Sequence, residues 1–197
     1  MTLAERPLSG PSDVSVPAER LWTRDEWDRL VELGFFEGER LELIEGRIVC
    51  MSPQRVAHSV AVELMDRYMR RAFVTGHRVR SQLPFRSVDG SEPEPDLAVI
   101  AGDDPRASAE HPSSAVLIVE ISDTTLEHDR RKARLYAASQ IPEYWILNLV
   151  SRTLEVHRNP GSQNGVAGYG EVRILKDRDR VSPLSSSAEA TVADLLP

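Results

Sequence analysis

Glu120 follows the apolar run Val116-Leu117-Ile118-Val119 and precedes Ile121. A carboxylate in a buried strand is costly unless it is paired with a cation or bound to a metal. Asp96 follows Pro95 and opens Leu97-Ala98-Val99-Ile100, so the proline stiffens the entry and holds the carboxylate at the mouth of a strand. Strand alternation puts Asp96 on the face of Ala98 and Ile100, and Glu120 on the face of Val116 and Ile118. If the two strands are neighbours the carboxylates converge, and hard divalent cations such as Mg²⁺ prefer such oxygen ligands. The plainer readings stand beside this one: an acid after proline is common in turns, and Glu120 could end a strand at solvent or sit in a structural ion pair.

Lys132 lies one short helix beyond Glu120, and a helix folding back on the sheet could bring it to the same mouth. There a lysine can position a water, lower its pKa or stabilise charge on a pentacoordinate phosphorus. A solvated helix lysine is the plain alternative. Of 24 cationic residues only Lys132 and Lys176 are lysine, and the other 22 are arginine. Lysine can give up a proton where arginine cannot, so each lysine is worth asking about. Tyr136, four residues on, shares its helical face and can orient the amine or simply pack. Glu42 alternates with Leu41 and Leu43, either as a further ligand or as a solvent-facing strand residue.

The elements that must position these residues can be read in order. Thr23-Arg24-Asp25-Glu26 is a capping box, opening a helix with Trp27, Leu30 and Val31 on one face and a stop at Gly34. Leu41–Ile44 and Arg47–Met51 flank Glu45-Gly46 as a two-residue hairpin. Ser52-Pro53 is expected to open a second helix, with Val56, Val60, Leu64 and Tyr68 recurring every four residues beside Ala57, Ala61 and Met65, and an end near Gly76. Strands are expected at His77–Arg86, Asp96–Ile100 and Ala115–Ile121, the last covered on both faces. Thr124–Glu127 reads as another capping box, with its helix running to about Ser139. Strands follow at Glu143–Leu149 and Thr153–Arg158, then a flexible loop over Gly161–Gly170 and a strand at Glu171–Leu175; residues 182–197 have no clear pattern. This order predicts an α/β (α+β) fold, a mixed sheet with helices on its faces.

The segments Leu41-Glu42-Leu43-Ile44-Glu45-Gly46, Ser91-Glu92-Pro93-Glu94-Pro95-Asp96-Leu97, Val119-Glu120-Ile121-Ser122, Asp129-Arg130-Arg131-Lys132 through Tyr136, and Ile141-Pro142-Glu143-Tyr144-Trp145 resemble the Uma-two family of restriction endonucleases, within the PD-(D/E)XK nuclease superfamily, over roughly residues 20 to 160. The resemblance implies a restriction-endonuclease-like fold, Asp96 as the aspartate of the "PD" element, Glu120 as the second acid and Glu42 as a further active-site acid. The superfamily places a lysine two residues after the second acid, where this chain has Ser122; the family is thought to use a lysine from the next helix, and Lys132 fits that place. His58 and Gln82 match recurring family positions and join Tyr136 as candidates for a supporting shell.

The expected chemistry is phosphodiester hydrolysis in nucleic acid, with DNA foremost. Asp96, Glu120 and the Ile121 carbonyl would hold Mg²⁺ or Mn²⁺, Lys132 would assist the attacking water, and Arg130, Arg131 and Arg134 would steer backbone phosphates. Those arginines could equally form a solvated face paired with Glu127 and Asp129. Two other readings remain at this stage, a catalytically inactive binding module of the same fold and another carboxylate-based hydrolase such as a glycosidase. A net charge of -7 argues against coating nucleic acid by bulk charge, but not against a local basic patch. The lone Cys50 precludes an intrachain disulfide and points to a cytoplasmic setting. Residues 1–19 are expected to be a mobile tail before a single domain at 20–197, no membrane span is expected, and double-strand cleavage would favour a homodimer.

Overall fold

Thr23 caps helix α1 (Arg24–Glu32) by the reciprocal box its sequence predicts, its hydroxyl accepting from Glu26 N–H while the Glu26 carboxylate accepts from Thr23 N–H. In this computed structural model, which describes residues 19–107 and 109–197, the expected tail lies outside the described residues apart from Glu19. Trp27 is buried against Phe36, but Val31 is exposed, so the apolar face of α1 is narrower than expected. Strands β1 (Leu41–Ile44) and β2 (Arg47–Cys50) form the expected hairpin. Glu45 and Gly46 both have positive φ, the turn whose twist suits a tight hairpin.

Helix α2 (Val56–Ala72) starts three residues after Pro53 and buries Ala61, Met65, Tyr68 and Met69. The expected stripe through Val56 and Val60 is exposed instead. The buried face is therefore rotated from the one the four-residue spacing suggests, and the first turn runs past the core.

The main sheet has the order β3 (His77–Ser81), β4 (Leu97–Ala101), β5 (Leu117–Ser122), β6 (Glu143–Asn148), β7 (Thr153–Gln163), β8 (Val166–Lys176). Only β5 and β6 pair in parallel, joined by helix α3 (Leu126–Ala138) as a crossover. β3 is shorter than expected because Gln82 takes a positive φ and leaves the ladder. Thr124–Glu127 forms no capping box: Thr125 is the N-cap, and its hydroxyl bonds the Asp129 carboxylate at 2.7 Å. The expected loop at Gly161–Gly170 is a long hairpin that pairs to Gln163↔Val166 across Asn164-Gly165.

Alternation divides the core in two. On one face α2 packs Met65, Tyr68 and Met69 over Leu97, Val99, Leu117, Val119 and Trp145. On the other, α3 packs Ala133 and Tyr136 over Ala98, Ile100, Ile118 and Ile146. The C-terminal segment adds short strands β9 (Arg180–Val181) and β10 (Ala190–Thr191) and a 3₁₀ turn (Val192–Leu195), whose apolar side chains join the α2 face. The architecture is thus the expected mixed α+β sheet flanked by helices. No helix among the described residues is long and apolar enough to cross a membrane.

Candidate active site

The antiparallel register Leu97↔Val119 places Asp96 opposite Glu120, on the α3 face, where the two strands begin to part. Past the last ladder pair, side chains replace the missing backbone bonds. Ile121 N–H donates to Asp96 Oδ2 at 2.8 Å, and Asp96 N–H reaches Glu120 Oε2 at 3.3 Å. The carboxylates therefore converge because the ladder stops there.

The hairpin supplies the opposite wall. Leu43 is fully buried and bridges Glu92, which turns its neighbour Glu42 into the cleft. Glu94 N–H donates to Glu42 Oε1 at 2.7 Å. From α3, Lys132 Nζ donates to the same Glu42 oxygen at 2.7 Å and to Glu120 Oε1 at 3.2 Å. Tyr136, one turn on, donates to Glu120 Oε1 at 2.9 Å. Gln82 Nε2 lies 3.3 Å from Asp96 Oδ1, and His58 Nε2 lies 3.2 Å from Asp96 Oδ2. Asp96, Glu120, Lys132, Glu42 and His58 thus line one cleft of about 180 Å³, while Tyr136 and Gln82 lie outside its lining and contact Glu120 and Asp96.

The predicted arginines separate. Arg130 turns away to β7, where its guanidinium is held by Glu155 at 2.5 Å and by Glu127 at 2.9 Å. Arg131 and Arg134 are exposed on α3 beside the cleft. Asp129 is a residue that sequence reasoning read as a surface partner and that is instead buried on the Lys132 face, bonded by Thr125. The signal was present in its spacing, because Asp129, Lys132 and Tyr136 recur at three and four residues. Ser122, where the superfamily pattern has lysine, is buried.

The electrostatics follow from four buried acids around one buried amine. Burial pushes Glu120 up to about 8; Lys132 opposes the shift, and Asp129, Asp96 and Glu42 add to it. Burial alone would raise Glu42, but Lys132, His128 and the Glu94 amide bring it down to about 2. Burial alone would lower Lys132, yet Glu120, Glu42 and Asp129 raise it well above the ordinary lysine range. These neighbouring carboxylates favour the ammonium form of Lys132. Burial, then Glu120, raises Tyr136, which stays a neutral donor.

Among the described residues no three His, Cys, Asp or Glu side chains form a ready cage for a metal ion. The donor set nevertheless suits a hard cation. Glu42, Asp96, Glu120 and Asp129 outnumber Lys132, and Mg²⁺ commonly takes one or two carboxylates, leaving its other positions to water and substrate phosphate.

The site is thus built on a mixed sheet crossed by one helix, with an acid pair at a forked strand end and a lysine returning from that helix. A solved structure described as a "putative nuclease belonging to DUF820" from Anabaena variabilis ATCC 29413 matches the protein with a TM-score of 0.64 at 18% identity, covering 88% of this chain and 96% of that one. The sequence matches the Uma2 family, described as "Putative restriction endonuclease", over residues 25–193, and the chain belongs to that family. No curated protein matches it.

Proposed function

We propose that this protein hydrolyses phosphodiester bonds in nucleic acid, with DNA as its substrate, and that it does so with Mg²⁺ or Mn²⁺ held by Asp96, Glu120 and the Ile121 carbonyl. The observation that carries this reading is the surplus of buried carboxylate around Lys132, which a divalent cation would offset. Such an ion, when bound, polarises the scissile phosphate and acidifies a bound water.

The protein groups then divide the remaining work. Lys132, held as an ammonium, donates to oxygens on which negative charge accumulates and orients the attacking water. Glu42 keeps that ammonium charged and fixes its direction through the 2.7 Å contact. Tyr136 holds the Glu120 rotamer, and Gln82 and His58 hold Asp96. Cutting both strands of a duplex calls for two such sites, which a two-fold homodimer supplies.

The test incubates purified protein with supercoiled DNA and Mg²⁺ or Mn²⁺, beside Asp96→Ala and Lys132→Ala. Metal-dependent nicking is expected from the wild type alone. Equal activity in all three would mean a contaminant and overturn the site, and inactivity on both DNA and RNA would overturn the reading.

A further inference from the structure

A second groove of about 400 Å³ adjoins the cleft, running between the β1–β2 hairpin and helix α3. It shares Val49, His128 and Lys132 with the cleft, so the two meet at the amine that faces the reacting centre. We infer that this groove seats the phosphodiester backbone of the strand being cut, on the side leading away from the scissile phosphate, with Arg131, Arg134 and Arg47 as its phosphate contacts. The inference rests on the phosphodiesterase reading and gives that site a direction.

Which arginines are uncommitted decides the direction. Arg40, on the rim of the cleft, is engaged by Glu94 at 2.7 Å, and Arg55, more exposed and 3.5 Å from Asp123, lines the cleft and not this groove. Arg130 is engaged by Glu155 and Glu127. Among the described residues Arg131 and Arg134 are in no ion pair; the Arg131 Nε donates only to the Glu127 carbonyl. Arg47, on the hairpin wall, pairs with Glu19, but both side chains are more than half exposed, so solvent screens the pair and a phosphate can compete for the guanidinium. Glu45 is the acidic residue on the same walls. Ile44, Val49 and Leu135 give the groove an apolar side against which sugars can lie.

Its length fits a short run of backbone. From His128 to Leu135 the helix advances about 10 Å, enough for a short run of backbone to lie along it. Arg131 and Arg134, three residues and about 4.5 Å of rise apart on α3, present two guanidinium groups to the same stretch of backbone.

The test measures binding by fluorescence anisotropy in EDTA, where no metal supports cleavage, using labelled 20-nucleotide single-stranded DNA, duplex DNA and RNA over a range of salt. The proteins are the wild type, Arg47→Ala, the double variant Arg131→Ala/Arg134→Ala, and Arg173→Ala, an exposed arginine on β8, as a control. The expected result is a drop of roughly tenfold or more for the double variant, with the slope of log affinity against log salt shallower by about two, and by about one for Arg47→Ala. Arg173→Ala should match the wild type, and the polymer bound most tightly identifies the substrate. Groove variants with wild-type affinity and slope would overturn the groove and leave the phosphodiesterase reading standing. A wild type that neither binds nor cuts any of the three polymers would overturn both.

Discussion

The Lys132 amine stands 2.7 Å from the Glu42 carboxylate, a partner 90 residues away in the chain and on the opposite wall of the cleft. This contact ties the hairpin to α3, and the amine's second contact, 3.2 Å to Glu120, ties both to the central strand. The proposed catalytic geometry and the stability of the fold therefore share one nitrogen.

Lys132→Met should cost about 3–5 kcal/mol of stability, because it strands two buried carboxylates without a cation. Urea unfolding reads this directly. Adding Glu42→Gln to Lys132→Met should recover part of the loss, since it removes one of the stranded charges. A Lys132→Met protein as stable as the wild type would mean the amine is not the anchor described here.

A metal that binds only the folded protein raises its melting temperature by mass action, by about 2.7 kcal/mol of stability at a hundredfold excess over the dissociation constant. Titrating Mn²⁺ into the wild type should shift the thermal transition upward. Asp96→Asn should remove that shift, read against the same variant's own transition in EDTA, because it takes away one of the proposed metal carboxylates. A shift that survives in Asp96→Asn would place the metal elsewhere.

Tyr136→Phe keeps the ring packed against Tyr144 and deletes only the 2.9 Å bond to Glu120. A hydrogen bond contributes about 0.5–1.5 kcal/mol net. The expected outcome is a modest fall in stability and a drop in cleavage of about tenfold or more, larger than any change in nucleic-acid affinity. Unchanged cleavage would leave Tyr136 as packing alone.

The acid pair was legible in the sequence because strand alternation and a buried carboxylate both report on the same face. Asp96 and Glu120 needed only the neighbouring of β4 and β5 to meet. The Glu45-Gly46 hairpin was legible for the same local reason, a turn with two positive φ values. Asp129 was not, because an acid beside two arginines looks like a solvated face, and only the sheet beneath α3 decides which way it points. The β7–β8 hairpin was hidden by glycines at 161, 168 and 170, since its ladder is built from backbone groups that carry no side-chain signature. Asn164-Gly165, both at positive φ, was the local clue to its turn. The α2 face was misplaced because valine periodicity in its first turn extends beyond the surface the sheet offers.

Glu155 offers a pH test away from the reacting centre. The His157 imidazole, 3.4 Å away, and then the Arg130 guanidinium, hold its carboxyl down at about 2, below its ordinary 4.5. A depressed carboxyl contributes stability that is fully present above the unfolded-state value and lost as pH falls through the folded one. The wild type should therefore lose stability between about pH 4.5 and pH 2, and Glu155→Gln should lose less over that window while being less stable at neutral pH. Parallel pH–stability curves for the two proteins would exclude this contribution.

The hairpin turn provides the last test, because it links a backbone conformation to the position of Glu42. Gly46 has φ +76, and a Cβ there would lie 2.7 Å from the Leu21 Cβ and 3.1 Å from the Trp22 carbonyl oxygen. Trp22 N–H donates to the Gly46 carbonyl at 2.8 Å, so this segment cannot simply step aside. Gly102 has φ +90 with nothing within 4 Å of its would-be Cβ. Both Gly→Ala changes carry the strain of a left-handed non-glycine residue, about 1–3 kcal/mol. Only Gly46→Ala adds a clash that must move the hairpin, and with it the carboxylate that fixes Lys132. Gly46→Ala is thus expected to lose both stability and cleavage, and Gly102→Ala to lose stability alone. Equal cleavage by the two variants, measured per folded molecule, would mean that the hairpin can shift without disturbing the Glu42–Lys132 contact.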